Sequence, residues 1–267
     1  MPISDLHNEL WADLAFQEFL STANIAAVTN RSFDGTAARR GDVVHVNFFD
    51  PSSLTVQSSW ESGQADNDFG SGVAINIDQT PAINVKIDKL DEMYTNADLV
   101  AETTAAIGAS MANHVDEQLI LAVSGTAGVA SAPVVSYDNL VAARKILTGN
   151  GYPVNGDVWY FASADQYESL LKDDDINRAQ NSGDNNQIVS GEVRRIAGVN
   201  VVEQTVVPDL GILFHRRALA HVNPGGMFME LDSTLGGSKS FGTILGAGML
   251  FGNKVLSANG VALITDS

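Results

Sequence analysis

The chain of 267 residues contains no cysteine and few basic residues, and each shortage excludes a class of protein. Without cysteine, disulfides and thiolate metal sites are impossible. Lys and Arg number 15 against 32 Asp and Glu, so the net charge is −17 and strong nucleic-acid binding through clustered bases is not expected. With 45% hydrophobic and only 18% charged residues, the chain is too apolar to be disordered. We expect a folded core and a surface partly covered by other subunits.

The sequence also lacks the features of a secreted or membrane protein. Residues 1–5 show neither the basic nor the apolar region of a signal peptide. The longest uncharged stretch, Gln118 to Tyr137, contains Gly125, Gly128 and Pro133, which break its helix and its hydrophobicity. We therefore expect a soluble, intracellular protein with no membrane partner.

The first periodic segment predicts a helix from Asp5 to Leu20 with Ser4 as its N-cap, because Leu6, Leu10 and Leu14 recur every fourth residue. Aromatic residues widen its apolar face. Such a face needs a covering partner, in this subunit or the next.

Residues 43–49 alternate as a strand, and residues 50–90 are polar with few large apolar side chains. Two runs of period 2 occur there: Val73, Ile75 and Ile77, then Ile83, Val85 and Ile87. This pattern predicts a long β-hairpin with a flexible tip that lies on a neighbouring subunit.

A long helix is predicted next, from a Thr95–Asp98 capping box to about Val123. Its apolar stripe repeats every fourth residue: Leu99, Thr103, Ile107, Met111, Val115 and Leu119. No base lies between Lys89 and Arg144. We therefore predict an anionic surface along this helix, formed by Asp91, Glu92, Asp98, Glu102, Asp116 and Glu117.

The remainder alternates between helices and strands. The predicted features are a helix capped by Ser136, a strand at Val158–Ala162, a short helix opened by a Ser163–Gln166 capping box, strands at Val199–Val206 and Gly211–Phe214, and a β-rich tail over Met227–Ile264 with a turn at Gly236–Gly237.

Candidate chemistry is scarce. None of the five histidines lies in a metal or catalytic motif, and we expect His215 and His221 to be hydrogen-bonded in a packed interior. Two glycine motifs, at 236–240 and 246–248, depart from nucleotide-binding patterns, and we interpret them as turn and strand. Asp173 to Asp184 partly mimics a calcium loop, but a solvated acidic loop is the preferred interpretation. We predict no catalytic, cofactor-binding or metal-binding residue, and hence no enzyme.

The order of these elements along the chain indicates a protein family. Telling segments are Asn139–Leu147, Gly151–Pro153, Trp159–Ser163, Tyr167–Leu171, Gly198–Val202 and Phe214–Ala220. In this order they resemble the major capsid protein of tailed double-stranded-DNA bacteriophages, the Hong Kong 97 capsid fold. The resemblance covers nearly the whole chain.

The resemblance implies an α+β fold with named parts. These are an N-terminal arm (1–48), an extended β-hairpin loop (49–90), a peripheral domain with a spine helix (91–124), an axial α/β domain (125–222), peripheral return strands (223–255) and a last axial strand (256–267). Some members of the family crosslink a Lys of the extended loop. Here that loop offers only Lys86 and Lys89, at its base, so no crosslink is predicted.

The implied function is structural. Copies would assemble as pentamers and hexamers into an icosahedral shell around the phage genome, with portal and possible scaffolding or decoration proteins as partners. The protein would reside in the virion after assembly in the host cytoplasm, and an acidic inner surface would let packaged DNA slide with weak, non-specific contact. Two alternatives stay open: an encapsulin-like compartment shell and a small-ligand α/β enzyme. We also expect the arm to serve assembly rather than folding, so that deleting residues 1–24 leaves a folded monomer.

Overall fold

The computed structural model describes residues 3–34, 40–47, 72–88, 99–126, 129–132, 136–173, 195–207, 209–232 and 242–265. The helices are α1 (Ile3–Thr22), α2 (Ile25–Val28), α3 (Leu99–Ser124), α4 (Tyr137–Gly149) and α5 (Ala164–Lys172). The strands are β1 (Val43–Val46), β2 (Val73–Asn76), β3 (Ala82–Asp88), β4 (Ala130–Ala132), β5 (Val158–Ala162), β6 (Arg195–Ile196), β7 (Val199–Glu203), β8 (Leu210–His215), β9 (Leu219–Val222), β10 (Met227–Asp232), β11 (Gly242–Met249), β12 (Gly252–Val255) and β13 (Val261–Thr265).

The long helix α3 runs through the centre of the main core. Four members of its predicted stripe, Ile107, Met111, Val115 and Leu119, are buried, which confirms the period-4 interpretation for the middle of the helix. The proposed Thr95–Asp98 capping box lies outside the described residues. Within the described residues, no helix is long and apolar enough to cross a membrane.

The N-terminal helix α1 begins at Ile3, so the predicted N-cap is wrong. An N-cap residue flanks the helix and has non-helical backbone. Ser4 lies inside the first turn and therefore cannot serve that role.

A six-stranded mixed sheet forms the centre of one half of the molecule, in the order β4-β13-β8-β5-β7-β6. Strands β5 and β7 are parallel, and β8 runs antiparallel to β5. The helix α4 buries Leu140, Ala143 and Leu147, and Ser136 accepts a hydrogen bond from the Asn139 N–H as predicted. The Ser163–Gln166 capping box opens α5, also as predicted.

A three-stranded antiparallel sheet, in the order β10-β11-β3, packs on α1 and α3. The two period-2 runs are confirmed as strands, and each pairs with a different partner. Strand β3 pairs with β11, and β2 pairs with β1. The reason is that Ile83 and Val85 pack against the main core, whereas Ile75 belongs to a separate cluster.

That second cluster holds the β1–β2 ladder against the β9–β12 pair. Its buried members are Val44, Val46, Ile75, Ile77, Ala220, Val222 and Leu256. Gly252 on β12 lies so close to β2 that a Cβ atom there would be 2.4 Å from the Asn76 carbonyl oxygen. The ladder is therefore packed backbone against backbone on the body of the subunit.

Candidate assembly surfaces

The helix α1 crosses α3 at very short range, and Gly108 makes this possible. A Cβ atom at Gly108 would lie 2.4 Å from the Ala15 carbonyl oxygen and 3.2 Å from the Phe19 backbone nitrogen. Ala15 and Phe19 are themselves 0% and 1% exposed. The arm therefore packs directly on the backbone of α3.

A second attachment lies two turns further along α3, at Asp116. Its Oδ2 accepts hydrogen bonds from the backbone N–H groups of Asn24 (3.0 Å) and Ile25 (3.2 Å), and its Oδ1 accepts one from Ala26 (3.0 Å). The carboxylate thus satisfies donors at the start of α2, which have no intrahelical acceptor. Burial raises the pKa of Asp116, and the three backbone hydrogen bonds partly oppose that shift.

The predicted anionic surface must therefore be corrected. Asp116 is only 3% exposed and is committed to the arm, so it does not belong to that surface. Glu102 is exposed, and the Glu117 side chain is 44% exposed with its Oε2 3.7 Å from the His114 Nδ1. Asp91, Glu92 and Asp98 lie outside the part of the chain whose side chains are described.

The apolar face of α1 is covered within its own subunit, which is one of the two alternatives that the sequence leaves open. Ala15, Phe19 and Ala23 belong to the main core, because α3 and β10 cover them. Leu14 and Leu20 remain 39% and 44% exposed on the opposite side of α1. The docked arm is thus part of the folded core of its own subunit.

Sequence reasoning missed both attachment points, although one carried a signal. Asp116 stands four residues from Ala112 and four from Ile120, which are both fully buried. A carboxylate on such an apolar face has to be hydrogen-bonded, since an unpaired buried charge is very costly. For Gly108, the only local signal is a glycine inside a helix, which lowers helix propensity without revealing why it is there.

The two candidate histidines serve separate structural contacts, as predicted. The Nδ1 of His215 accepts a hydrogen bond from the Arg217 N–H at 3.2 Å, and the Nδ1 of His221 lies 2.7 Å from the Asn253 Oδ1. Burial lowers the pKa of both imidazoles. Their rings pack on different aromatic partners, Tyr152 and Phe251, so the structure does not join them into one site.

The remaining motifs lie only partly within the described residues. Gly246 and Gly248 lie within β11, as the strand interpretation predicted, whereas residues 236–240 lie outside the described residues. Of the acidic loop at 173–184 only Asp173 is described, and its Oδ2 accepts a hydrogen bond from the Tyr137 N–H at 2.8 Å. Among the residues that the structure describes, no three His, Asp or Glu side chains are placed to hold a metal ion.

A long core helix, a mixed six-stranded sheet, a three-stranded sheet and the β1–β2 ladder together have the Hong Kong 97 capsid fold. Solved structures share this fold. A structure from Mycobacterium phage Che8 has a TM-score of 0.69 at 23% identity and covers 91% of this chain and 90% of its own. The capsid of cyanophage P-SCSP1u has a TM-score of 0.65 at 17% identity and covers 90% and 89%. A virus-like particle from Pyrococcus furiosus has a TM-score of 0.62 at 10% identity and covers 97% and 99%.

A match to a family profile identifies the family of this chain. A family profile described as "Phage capsid protein" matches residues 79–261, which is more than half of the chain. The chain belongs to this family and is a major capsid protein, a structural protein whose copies assemble into the shell of a virion. A comparison with curated protein sequences finds no match.

Proposed function

We propose that the protein builds an icosahedral shell of pentamers and hexamers around the double-stranded DNA genome of a tailed phage. The observation that carries this proposal is the family match over residues 79–261, together with a fold shared over nine-tenths of a capsid chain. Assembly takes place in the host cytoplasm. A portal and possible scaffolding or decoration proteins are the further partners.

The parts of the subunit have distinct roles in this proposal. The six-stranded sheet with α4 and α5 is the axial domain, and α3 with the three-stranded sheet is the peripheral domain. The extended loop is residues 49–90, and the pairing of β1 with β2 joins it to the end of the arm. The exposed Glu102 and Glu117 contribute to an acidic inner surface that contacts DNA only weakly.

A compartment shell with protein cargo is the second candidate, supported by the likeness to the virus-like particle. That likeness shows the fold alone and does not distinguish the contents. The family match favours the phage capsid over this candidate and over a small-ligand enzyme.

Electron microscopy of the recombinant full-length chain tests the proposal. We expect closed particles with five-fold vertices, or free pentamers and hexamers that close when a scaffolding partner is added. A small soluble oligomer under every condition would contradict shell formation. Closed particles that retain one other protein at fixed stoichiometry would identify a compartment instead, and nuclease-protected DNA would support the genome container.

A further inference from the structure

The six-stranded sheet has two ends of opposite charge. Strands β5, β7 and β13 run from one end to the other, and β8 runs back. Bases gather in the segments that join the strands at the end where β8 finishes, and acids gather where β8 starts. We name these the basic end (Arg195, Arg216 and Arg217) and the acidic end (Asp138, Asp165, Glu168, Glu203 and Asp209).

The basic end is built around the loop that precedes β5. Arg216 and Arg217 form the exposed turn after β8, and the Arg216 N–H donates to the Asp157 carbonyl oxygen at 2.9 Å. The guanidinium of Arg195 lies against the same loop, since a Cβ atom at Gly156 would be 3.9 Å from its Nη2. Within the described residues, none of these three arginines forms an ion pair.

The acidic end lies at the opposite edge of the same strands. Glu203 is the last residue of β7 and pairs with Ala162, immediately before α5 begins. Asp165 on the first turn of α5 and Asp209 just before β8 are exposed, as is Glu203. Asp138 is exposed on the first turn of α4, whose N-terminus is tied to this end through the bond between Tyr137 and Asp173.

The acidic end carries one nearby base among the described residues. Lys172 on the last turn of α5 forms an ion pair with Glu168, and both side chains are exposed. The carboxylates of Asp138, Asp165, Glu203 and Asp209 form no ion pair in the described part of the chain. Among the described side chains, acids therefore predominate at this end, and the other end carries three arginines against one exposed acid, Asp157.

We propose that the basic end binds the acidic end of a second copy of this chain, so that neighbouring subunits in the shell contact each other head to tail. This rests on the shell-forming function proposed above. Copies with a net charge of −17 repel one another, and contacts between opposite charges offset that repulsion at the interface. A contact between two different surfaces of identical subunits forms a ring when the rotation between copies closes after five or six of them, as pentamers and hexamers require.

DNA is the competing occupant of the basic end. Phosphate binding depends on a broad surface of bases, and here three arginines stand beside an exposed Asp157 in a strongly acidic chain. A partner that presents carboxylates requires only a few bases placed opposite them. A protein surface rich in Asp and Glu therefore suits this end better, and this chain supplies one.

Charge reversal tests the contact. One variant carries Arg216→Glu and Arg217→Glu, a second carries Asp165→Lys and Glu203→Lys, and a third carries all four changes. The third keeps the net charge at −17. We expect particle yield to fall roughly tenfold or more in each double variant and to recover in the fourfold variant, because both ends are then reversed together.

The control variant Lys145→Glu with Lys254→Glu has the same charge change as the first, replaces two exposed bases outside the basic end, and should assemble like the wild type. Far-UV circular dichroism and thermal melting establish that each variant folds. Failure of the folded fourfold variant to recover assembly would overturn the proposal. So would normal assembly of the Arg216→Glu, Arg217→Glu variant, and a loss of packaged DNA from those particles would assign the basic end to DNA. Absence of shells from the wild-type chain would instead contradict the proposed function.

Discussion

The N-terminal arm and the six-stranded sheet are held to the subunit by different means. The sheet is held by ladder hydrogen bonds, side-chain caps and a broad apolar core, so many groups share its stabilisation. The arm shares that core through Ala15, Phe19 and Ala23, but its close approach depends on one glycine, Gly108, and its polar attachment on one carboxylate, Asp116, which binds three backbone N–H groups. We therefore expect single substitutions to destabilise the sheet less than the arm, because the attachment of the arm depends on Gly108 and Asp116.

Removing residues 1–24 should break this arrangement most severely. The deletion takes away Ala15, Phe19 and Ala23 from the core and leaves the Asp116 carboxylate without its Asn24 donor. Loss of a buried Phe alone costs about 3–5 kcal/mol, against a typical total stability of about 5–15 kcal/mol. We expect the truncated chain to lose cooperative thermal unfolding, measured by calorimetry. A deletion of residues 1–10 is the control, because it keeps all three core residues. A cooperatively melting monomer from the longer deletion would restore the idea that the arm serves assembly alone.

Asp116→Ala should be the most damaging single substitution at the arm contact. It leaves three backbone donors without their acceptor, and each buried unsatisfied donor costs about 1–3 kcal/mol. Asp116→Asn keeps the shape and one carbonyl oxygen, so we expect a smaller loss in urea unfolding. Equal stability of the alanine variant and the wild type would show that the contact contributes nothing.

The wild type and the Asp116→Asn variant can also be compared as a function of pH. Because burial raises the pKa of Asp116 above its ordinary value of 3.8, the folded state holds this proton more tightly than the unfolded state. The resulting stability is fully present below the ordinary pKa and is lost as pH rises through the folded pKa. The stability advantage of the wild type over Asp116→Asn should therefore decrease with rising pH across that window. A difference that is constant with pH would contradict the assignment.

Gly108→Ala tests the close crossing of α1 and α3, with a smaller expected loss of stability. The added methyl would meet the Ala15 carbonyl oxygen at 2.4 Å, and overpacking of this kind costs about 1–3 kcal/mol. Gly149→Ala is the matched control, because no atom lies within 4 Å of the place that the methyl group would take at this helical glycine. Alanine there favours the helix by up to about 1 kcal/mol. Denaturant unfolding should show opposite signs for the two variants. The same sign for both would mean that the helix crossing adapts to the methyl group.

The smallest effect on stability is expected for Glu102→Lys with Glu117→Lys. Both positions are at least partly exposed on α3, and exposed charges contribute little to folding, about 0–1 kcal/mol each. If they face the genome, the reversal should create DNA binding that weakens as salt increases, measured by gel shift on free subunits. Lost assembly without any DNA binding at low salt would place these carboxylates at a subunit contact instead.

Local signals predicted the six-stranded region well, and long-range contacts account for the errors. Ser136 and Ser163 each bind the backbone N–H three residues further on, so both helix caps could be predicted from the sequence alone. The partner of Asp116 lies about 90 residues away, and nothing near Asn24 marks it as a donor. The partners of the β3–β11 pairing lie still further apart in sequence, and no local signal marks that pairing. The family resemblance succeeded because it depended on the order of elements rather than on their contacts.

The small cluster beneath the β1–β2 ladder has a mechanical consequence. Because its seven buried residues form a group separate from the main core, the ladder is attached to the subunit through a small hydrophobic cluster of its own. Cooperative opening in proteins follows such contiguous units, so the ladder amides should exchange with deuterium as a group and ahead of those in α3. Opening of the ladder alone would then leave the buried residues of the central helix packed in the main core.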